Sequence, residues 1–399
     1  MISTYGHQVI EEDDIEAINK VLRSNWLTTG PVVEEFEKSF AKQVGAEHAI
    51  ACSSGTAALH LVSMITGSGP GFSSIAPTIS FLATANCSRF TGADMLFTDV
   101  SSDTGLIQGQ DLLDVLEQND KANIKSLYVV HLNGQTCQIE EIAKIAKENG
   151  IYLIEDCCHA LGTTYQTANN KISKVGACEF SDFSIFSFHP VKTITTGEGG
   201  MITTNNPEYA EKAKSLRNHG MLRNPELFEN KVYAYNQKGT VNPWYYEMHD
   251  PGFNYRISDI NCALGLSQLK KLSRFIETRK SLMQCYDEEL SELPSSVKPV
   301  ARVENCSPAL HLYPVLIDFS SLGKDRADVM NDLKHKGIGT QVHYYPIHKQ
   351  PYYEKLYGNR DLPGAWHYYE RVLSLPFHCG MTQEDVKFVV SMVAEALEL

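Results

Sequence analysis

Residues 182–200, DFSIFSFHPVKTITTGEGG, decide the fold, because an apolar run leads directly to a lysine and a glycine-rich turn. Residues 182–188 predict a buried strand, and Lys192 follows shortly after its end. In an α/β sheet, ligands bind beyond the carboxyl ends of the strands. A desolvated lysine at that edge has a depressed pKa, and its neutral amine can form a Schiff base. The alternative is a solvated loop lysine, and spacing alone does not decide between the two.

The chain around this segment alternates short apolar runs with helical patterns over its first 210 residues. This alternation predicts an α/β fold with a mainly parallel sheet. An opening helix begins near Asp13, and a second helix carries Phe36, Phe40 and Val44 at helical spacing. The predicted strands are 48–52, 73–77, 94–100, 125–132, 151–156 and 182–188, with helices near 56–66, 81–91 and 138–149.

The pattern changes after residue 205. A helix over 208–218 precedes a loop rich in Asn, Tyr and Pro that extends to residue 256. A loop of this length in a compact domain is either functional or an interface arm. A long helical pattern over 257–286 follows, and 297–399 read as mixed strands and helices. We therefore predict a large domain, 1–256, that includes the arm 219–256, and a smaller C-terminal α+β domain, 257–399.

The amino-acid composition argues against several classes of partner and binding site. The 399 residues contain 35 Lys+Arg against 48 Asp+Glu, a net charge of −13, which argues against nucleic acid or an anionic membrane as a partner. No apolar run approaches the ~20 residues of a membrane helix, and the N-terminus turns acidic where a signal peptide is basic. The ten cysteines form no CxxC, so we expect reduced thiols, no metal site and a cytoplasmic protein.

We call a segment at a strand end that could bind a ligand a station. Besides the segment around Lys192, a second station is the sequence SSGTAA, residues 53–58, between a predicted strand and a predicted helix. Glycine and small residues here let backbone N–H groups approach a ligand, and a helix N-terminus favours negative charge. The station could hold a phosphate. An ordinary helix cap formed by Ser54 is the alternative.

Further candidates stand at other strand ends. Asp156 ends the apolar run 151–156, where a carboxylate can pair with a protonated pyridine nitrogen; a helix cap is the alternative. His159 could donate to a ligand oxygen or serve only in packing. The ring of Phe81 could cover a flat cofactor or belong to the core.

The order of these stations along the chain resembles the order of the cofactor-binding segments in the pyridoxal 5′-phosphate (PLP) enzymes of fold type I. Among those enzymes, the chain is most similar to the nucleotide-sugar aminotransferases. The similarity extends over nearly the whole chain. The segments that carry it are Leu27-Thr28-Thr29-Gly30-Pro31, SSGTAAL, SFLATAN, EDCCHALG, SFHPVK, TTGEGG, RNHGML and GFNYRISDINCALGLSQL.

The resemblance implies a role for each matching residue. Lys192 is the Schiff-base lysine, Asp156 the partner of the pyridine nitrogen and Phe81 the stacking ring. Asn254 reaches the phosphate from a neighbouring subunit, which implies a homodimer with shared active sites. His159 lies near the phenolic oxygen of the cofactor. The phosphate ligands are Ser187, Gly55, Thr56 and Ala57.

Within the family, C-terminal segments such as HLYPVL and TQVHYYPIH are similar to members that aminate a UDP-linked 4-keto-6-deoxy-N-acetyl hexose for pseudaminic acid synthesis. The implied cycle takes its amino group from L-glutamate and releases 2-oxoglutarate. Arg256, His343 and Tyr344 are candidates for contacts to the sugar nucleotide, with an interface or core role as the alternative. One departure is GPGFSS, residues 69–74, where relatives usually have Gly-Asp-Glu-Val.

Three alternatives stay open. A sister aminotransferase would act on another UDP- or dTDP-linked keto sugar. A non-catalytic PLP-binding regulator would keep the same stations. A PLP-dependent sugar dehydratase of this family has histidine in place of the Schiff-base lysine, and lysine at position 192 argues against it.

Overall fold

The central sheet has seven strands in the order β1-β9-β8-β5-β4-β2-β3. The computed structural model of the chain describes residues 4–399. Neighbouring strands pair in parallel from β8 across to β3, whereas β9 is antiparallel to both β8 and β1. The first nine strands are β1 (His48–Cys52), β2 (Ser73–Pro77), β3 (Asp94–Thr98), β4 (Ile124–Val130), β5 (Tyr152–Asp156), β6 (Thr164–Gln166), β7 (Ile172–Lys174), β8 (Phe183–Ser187) and β9 (Gly200–Thr204).

Helices cover both faces of this sheet. Successive strand residues belong to different apolar clusters, as Leu127 and Tyr128 in β4 do, and so do Leu153 and Ile154 in β5. Because side chains alternate across a strand, both faces are buried, as expected for a parallel sheet. The helices up to this point are α1 (Glu12–Leu22), α2 (Pro31–Val44), α3 (Gly55–Ile65), α4 (Leu82–Phe90), α5 (Gly109–Gln118), α6 (Ile139–Glu148) and α7 (Pro207–Leu216).

The arm contains short elements that the sequence did not predict. β10 (Met221–Leu222) pairs with β11 (Glu247–Met248), and α8 (Lys231–Ala234) lies between them. Two-residue strands and a four-residue helix are too short to produce a period in the sequence.

The C-terminal part has an apolar cluster of its own, built from residues 282–397 around the antiparallel strands β12, β14 and β15. β13 instead pairs with β6, and so joins the C-terminal part to the first part. The predicted boundary at 256/257 stays a prediction. The elements are α9 (Asp259–Lys270), α10 (Leu272–Ser291), β12 (Val297–Pro299), β13 (Cys306–Ser307), β14 (Tyr313–Ile317), α11 (Arg326–His335), α12 (Pro351–Tyr357), α13 (Pro363–Arg371), β15 (Val372–Leu375) and α14 (Gln383–Leu397).

The helical pattern predicted as one unit over 257–286 is two helices that meet at Lys271. The buried ammonium group of Lys271 forms ion pairs with Glu11, Asp13 and Asp14 at the start of α1. No glycine or proline stands at the break, so the sequence pattern does not mark it. Within the described residues, no helix is long and apolar enough to cross a membrane.

Candidate active site

The carboxyl ends of three strands lie at one edge of the central sheet and carry most of the predicted site residues. β5 ends at Asp156, and its neighbour β8 ends at Ser187. β1 runs in the same direction and leads through Ser53 and Ser54 into α3. Their following loops therefore meet at the edge where α/β proteins bind ligands.

The first turn of α3 presents unpaired backbone donors. Ser54 caps the helix, and its Oγ accepts the N–H of Ala57 at 3.1 Å. Across residues 4–399, the N–H groups of Gly55 and Thr56 have no hydrogen-bond partner. These two free donors and the helix dipole favour a bound anion. The helix cap by Ser54 and a phosphate site, which the sequence offered as alternatives, are therefore compatible with each other. The N–H of Ala57 is already used by the cap, and all three phosphate assignments stay predictions.

Gly55 faces the end of β8 closely. A Cβ atom added to Gly55 would lie 3.0 Å from the Cβ of Ser187 and 3.5 Å from the Sγ of Cys158. Glycine therefore keeps the space above these side chains open. The Oγ of Ser187 accepts the N–H of His189 at 3.4 Å, which leaves the hydroxyl proton of Ser187 able to donate to a ligand.

Asp156 is a buried carboxylate held by neutral donors. Its Oδ2 accepts the hydroxyl of Thr84 at 2.9 Å, and its Oδ1 accepts the N–H of Cys158 at 3.1 Å. These neutral donors fix the carboxylate at the strand end. A buried carboxylate held in this way suits a cationic partner such as a protonated pyridine nitrogen.

Lys192 lies in the turn that follows β8, where its N–H donates to the carbonyl of His189 at 2.8 Å. The side chain is half-buried. Burial lowers the pKa of its amine, and the nearby Cys158 and Asp156 oppose that shift. A lowered pKa makes the neutral amine available closer to neutral pH, which favours the reactive lysine over the solvated one.

His159 is buried and neutral. Burial, followed by the charges of Lys192 and His343, places its pKa well below the usual range. The backbone N–H of Asn133 donates to its Nδ1 at 3.4 Å, and its Nε2 lies 3.2 Å from the hydroxyl of Tyr344. These partners assign the tautomer with hydrogen on Nε2. His159 is therefore a hydrogen-bond donor on the side where Tyr344 lies.

Phe81 is not a core residue. Its side chain is 58% exposed at the start of α4, and its ring centroid lies 6.2 Å from that of Tyr344. An exposed aromatic ring beside the site suits the predicted stacking role, which stays a prediction.

Three other predicted residues are exposed or already hydrogen-bonded within the chain. Asn254 is exposed in the arm, and Arg256 donates from Nη1 to Oδ1 of Asn218 at 2.7 Å. His343 is buried, its Nδ1 lies 2.8 Å from the hydroxyl of Ser374, and burial lowers its pKa to about 3. The phosphate role of Asn254 and the substrate roles of Arg256 and His343 stay predictions.

Several residues of the site were missed by the sequence reasoning. Thr84 holds Asp156, and Asn133 holds His159. The ring of His311 packs at a tilt against that of His159, with ring centroids 4.7 Å apart. Asn133 adopts a positive φ of 62°, which non-glycine residues rarely do. The only available signal was that Thr84 falls inside SFLATAN and Asn133 directly follows the strand 125–132.

A fully buried pair lies directly behind the site. The Nε2 of His131 lies 2.7 Å from Oε2 of Glu155, and Nδ1 of His131 accepts the N–H of Cys137 at 3.3 Å. Cys157 is close enough to complete a three-ligand cluster. Because both imidazole nitrogens of His131 are engaged, the arrangement favours a structural role, and the expectation of no metal site stays a prediction.

Comparison with known proteins decides the family. The sequence pattern described as "DegT/DnrJ/EryC1/StrS aminotransferase family" matches residues 8–394. The chain belongs to this family. The predicted family, enzyme class and cofactor are thereby confirmed: the chain is a PLP-dependent sugar aminotransferase, and its substrates are nucleotide sugars.

Two relatives are similar over nearly their whole length. The UDP-4-amino-4,6-dideoxy-N-acetyl-beta-L-altrosamine transaminase of Campylobacter jejuni strain 81-176 is 37% identical over 395 residues, which cover 99% of this chain and 97% of that protein. The spore coat polysaccharide biosynthesis protein SpsC of Bacillus subtilis is 35% identical over 397 residues, with coverage of 99% and 97%.

Solved structures agree with the fold. Helicobacter pylori PseC, an aminotransferase involved in the biosynthesis of pseudoaminic acid, superposes with a TM-score of 0.87 at 30% identity and covers 99% of each chain. The PLP form of the putative sugar aminotransferase Spr1654 from Streptococcus pneumoniae gives 0.85 at 27% identity, with 99% and 98% covered. The fold-type I assignment is confirmed.

Proposed function

We propose that this aminotransferase converts a UDP-linked 4-keto-6-deoxy-N-acetyl hexose to UDP-4-amino-4,6-dideoxy-N-acetyl-β-L-altrosamine, with L-glutamate as amino donor. The observation that carries the chemistry is the convergence of Lys192 and Asp156 with the free N–H groups at the start of α3. A helix N-terminus for a phosphate, a carboxylate for a ring nitrogen and an amine of lowered pKa together fit PLP.

The residues of the proposed active site have separate tasks in the reaction. When bound, PLP supplies an electron-accepting ring that carries the amino group between the two substrates. Asp156 would hold a proton on the ring nitrogen, and Thr84 keeps the carboxylate in position. Lys192 would hold the cofactor through Nζ, and the same amine would serve as the acid–base group at the substrate carbon; a positioned acid–base group contributes about 10²–10⁴-fold. The Nε2–H of His159 would donate to the phenolic oxygen.

The sugar substrate is supported by two independent lines. Two Campylobacter jejuni proteins named for the altrosamine transaminase are 36–37% identical to this chain over nearly its full length. The segment that carries His343 and Tyr344 also meets the site directly, since the hydroxyl of Tyr344 lies 3.2 Å from Nε2 of His159. A ligand that reacts beside Lys192 would therefore contact residues outside the cofactor cradle.

A substrate panel tests this proposal. Protein loaded with PLP is mixed with glutamate and a set of UDP- and dTDP-linked 4-keto sugars, and the amino products are detected by mass spectrometry. We expect kcat/KM for the UDP-linked N-acetyl substrate to exceed that of each dTDP-linked sugar by at least about 10-fold, since polar groups built to bind one substrate reject another.

A higher kcat/KM for a dTDP-linked sugar, or for a UDP-linked sugar of other stereochemistry, would replace this proposal by the sister aminotransferase. The panel includes this alternative because SpsC, a relative named for spore coat polysaccharide biosynthesis, is also similar to this chain. Omitting glutamate is the control, because product formed without a donor would point to residual amine-form cofactor.

We also propose a homodimer whose two active sites are shared. The arm exposes an apolar and aromatic surface formed by Val232, Tyr233, Trp244, Tyr246 and Met248. A patch of this kind on a soluble chain marks an interaction surface. The exposed Asn254 lies on the same arm and has its side chain accessible to a partner. A second copy of the chain is the proposed partner.

Mixing two inactive variants tests the shared site. A heterodimer of a Lys192→Ala chain and an Asn254→Ala chain has one site with both defects and one intact site if Asn254 acts across the interface. We expect such heterodimers, isolated with two different tags, to recover about half of the wild-type activity. If each site were built from one chain, both sites of the heterodimer would be defective and no activity would return.

A further inference from the structure

Arg279, in α10, is a buried cation without a counter-ion. Only 3% of its surface is exposed. Its Nη1 donates to the carbonyls of His311 and Phe377, each at 3.1 Å, and its Nε has no partner. Throughout residues 4–399, no carboxylate forms an ion pair with it. Burying a charge in this way costs several kcal/mol unless it is paired.

The nearest candidate counter-ion is neutral. Cys379 is adjacent to the guanidinium, but burial raises the pKa of its thiol, so it carries no negative charge near neutral pH. Its Sγ donates to the carbonyl of Phe275. The peptide carbonyls that Arg279 binds are dipoles, which stabilise a guanidinium only in part.

A small cavity is lined by both Arg279 and Lys192. Its volume is about 10 Å³, and its lining includes Arg279, Lys192, His7, Thr193 and Cys379. The described lining contains His7 besides the lysine and the arginine, and it contains no acidic residue. A volume of this size accepts one water-sized occupant, whereas sites for organic ligands measure about 300–1,000 Å³.

We propose that this cavity binds a single monatomic anion, such as chloride, between Arg279 and Lys192. The positive lining rejects metal cations, and the volume rejects the carboxylate of glutamate and oxyanions such as sulfate. A halide is only slightly larger than water and supplies the charge that Arg279 lacks. Its effect on Lys192 rests on the proposed function: an anion nearby favours the protonated form of the nitrogen and raises its pKa.

Anomalous diffraction tests the site itself. Crystals of the protein soaked in sodium bromide should show an anomalous peak inside this cavity, in apoprotein and PLP-loaded protein alike. Cys379→Leu fills the cavity but leaves the carbonyl bonds of Arg279 intact, so we expect the peak to disappear in that variant. Density explained by a water, with bromide bound only elsewhere on the molecule, would overturn the proposal.

A pH titration tests the coupling to Lys192. The visible absorption of the PLP-loaded enzyme is followed against pH in chloride and in gluconate at equal ionic strength. We expect chloride to raise the midpoint by about half a unit or more, and Cys379→Leu to abolish the difference. Equal midpoints would refute the effect on Lys192. Failure to bind PLP at all would instead refute the proposed function, and the bromide experiment would remain interpretable.

Discussion

Replacing Lys192 by alanine will lower kcat by at least about 10⁴-fold, because the variant lacks the group that attaches to PLP and the base that moves the proton. The amine is suited to both tasks because burial lowers its pKa. The measurement is product formation at saturating glutamate and sugar nucleotide. A second readout is borohydride reduction followed by peptide mass spectrometry, which should place the cofactor on Lys192 in the wild-type enzyme and nowhere in the variant.

Lys174→Ala is the matched control. Lys174 lies in β7, and its Nζ donates to the carbonyl of Gln43 at 2.8 Å, away from the site. We expect wild-type activity and wild-type labelling for this variant. Reduced cofactor on a lysine other than Lys192, or full activity of Lys192→Ala, would show that the lysine assignment is wrong.

Replacing Asp156 by asparagine will have the second largest effect. The substitution keeps the shape and one acceptor oxygen for Thr84 but removes the charge that holds the ring nitrogen protonated. Breaking a buried ion pair costs about 3–5 kcal/mol. If that loss falls on the transition state, kcat decreases by about 10²–10⁴-fold. The experiment measures single-turnover reaction with glutamate, together with the visible spectrum and the PLP dissociation constant.

Asp182→Asn provides the comparison. Asp182 is half-buried and its Oδ2 accepts the N–H of Leu153, but it lies at the opposite end of β8 from Ser187. We expect a loss of stability in that variant with little change in single-turnover rate. An Asp156→Asn enzyme that binds PLP normally and reacts within a few-fold of wild type would contradict the role of Asp156.

Much of the architecture is readable from the sequence because buried parallel strands are short, apolar and bounded by helices. The runs 48–52 and 73–77 coincide with β1 and β2, and the run 151–156 ends on Asp156 as β5 does. β9 was missed because Gly200 opens it directly after a glycine-rich turn, and because it runs against its neighbours.

The site was readable only where chemistry follows a strand end. Asp156 and Lys192 are predictable in this way, because each lies at or just after the end of an apolar run. Thr84 reaches Asp156 across 72 positions of sequence, and Asn133 reaches His159 across 26. No periodicity encodes such contacts, because they depend on which strands are neighbours in the sheet. The substrate-facing candidates Arg256 and His343 depend in addition on side-chain orientation, which spacing does not set.

The ion pairs of Lys271 carry a consequence for assembly of the chain. Lys271 and Asp13 are 258 positions apart, so their contact closes a loop that contains the entire central sheet. Closing so long a loop early would cost chain entropy with nothing to repay it. We therefore expect the first turn of α1 to dock on Lys271 only after the intervening sheet has formed, because the folded sheet brings the two ends of this loop together.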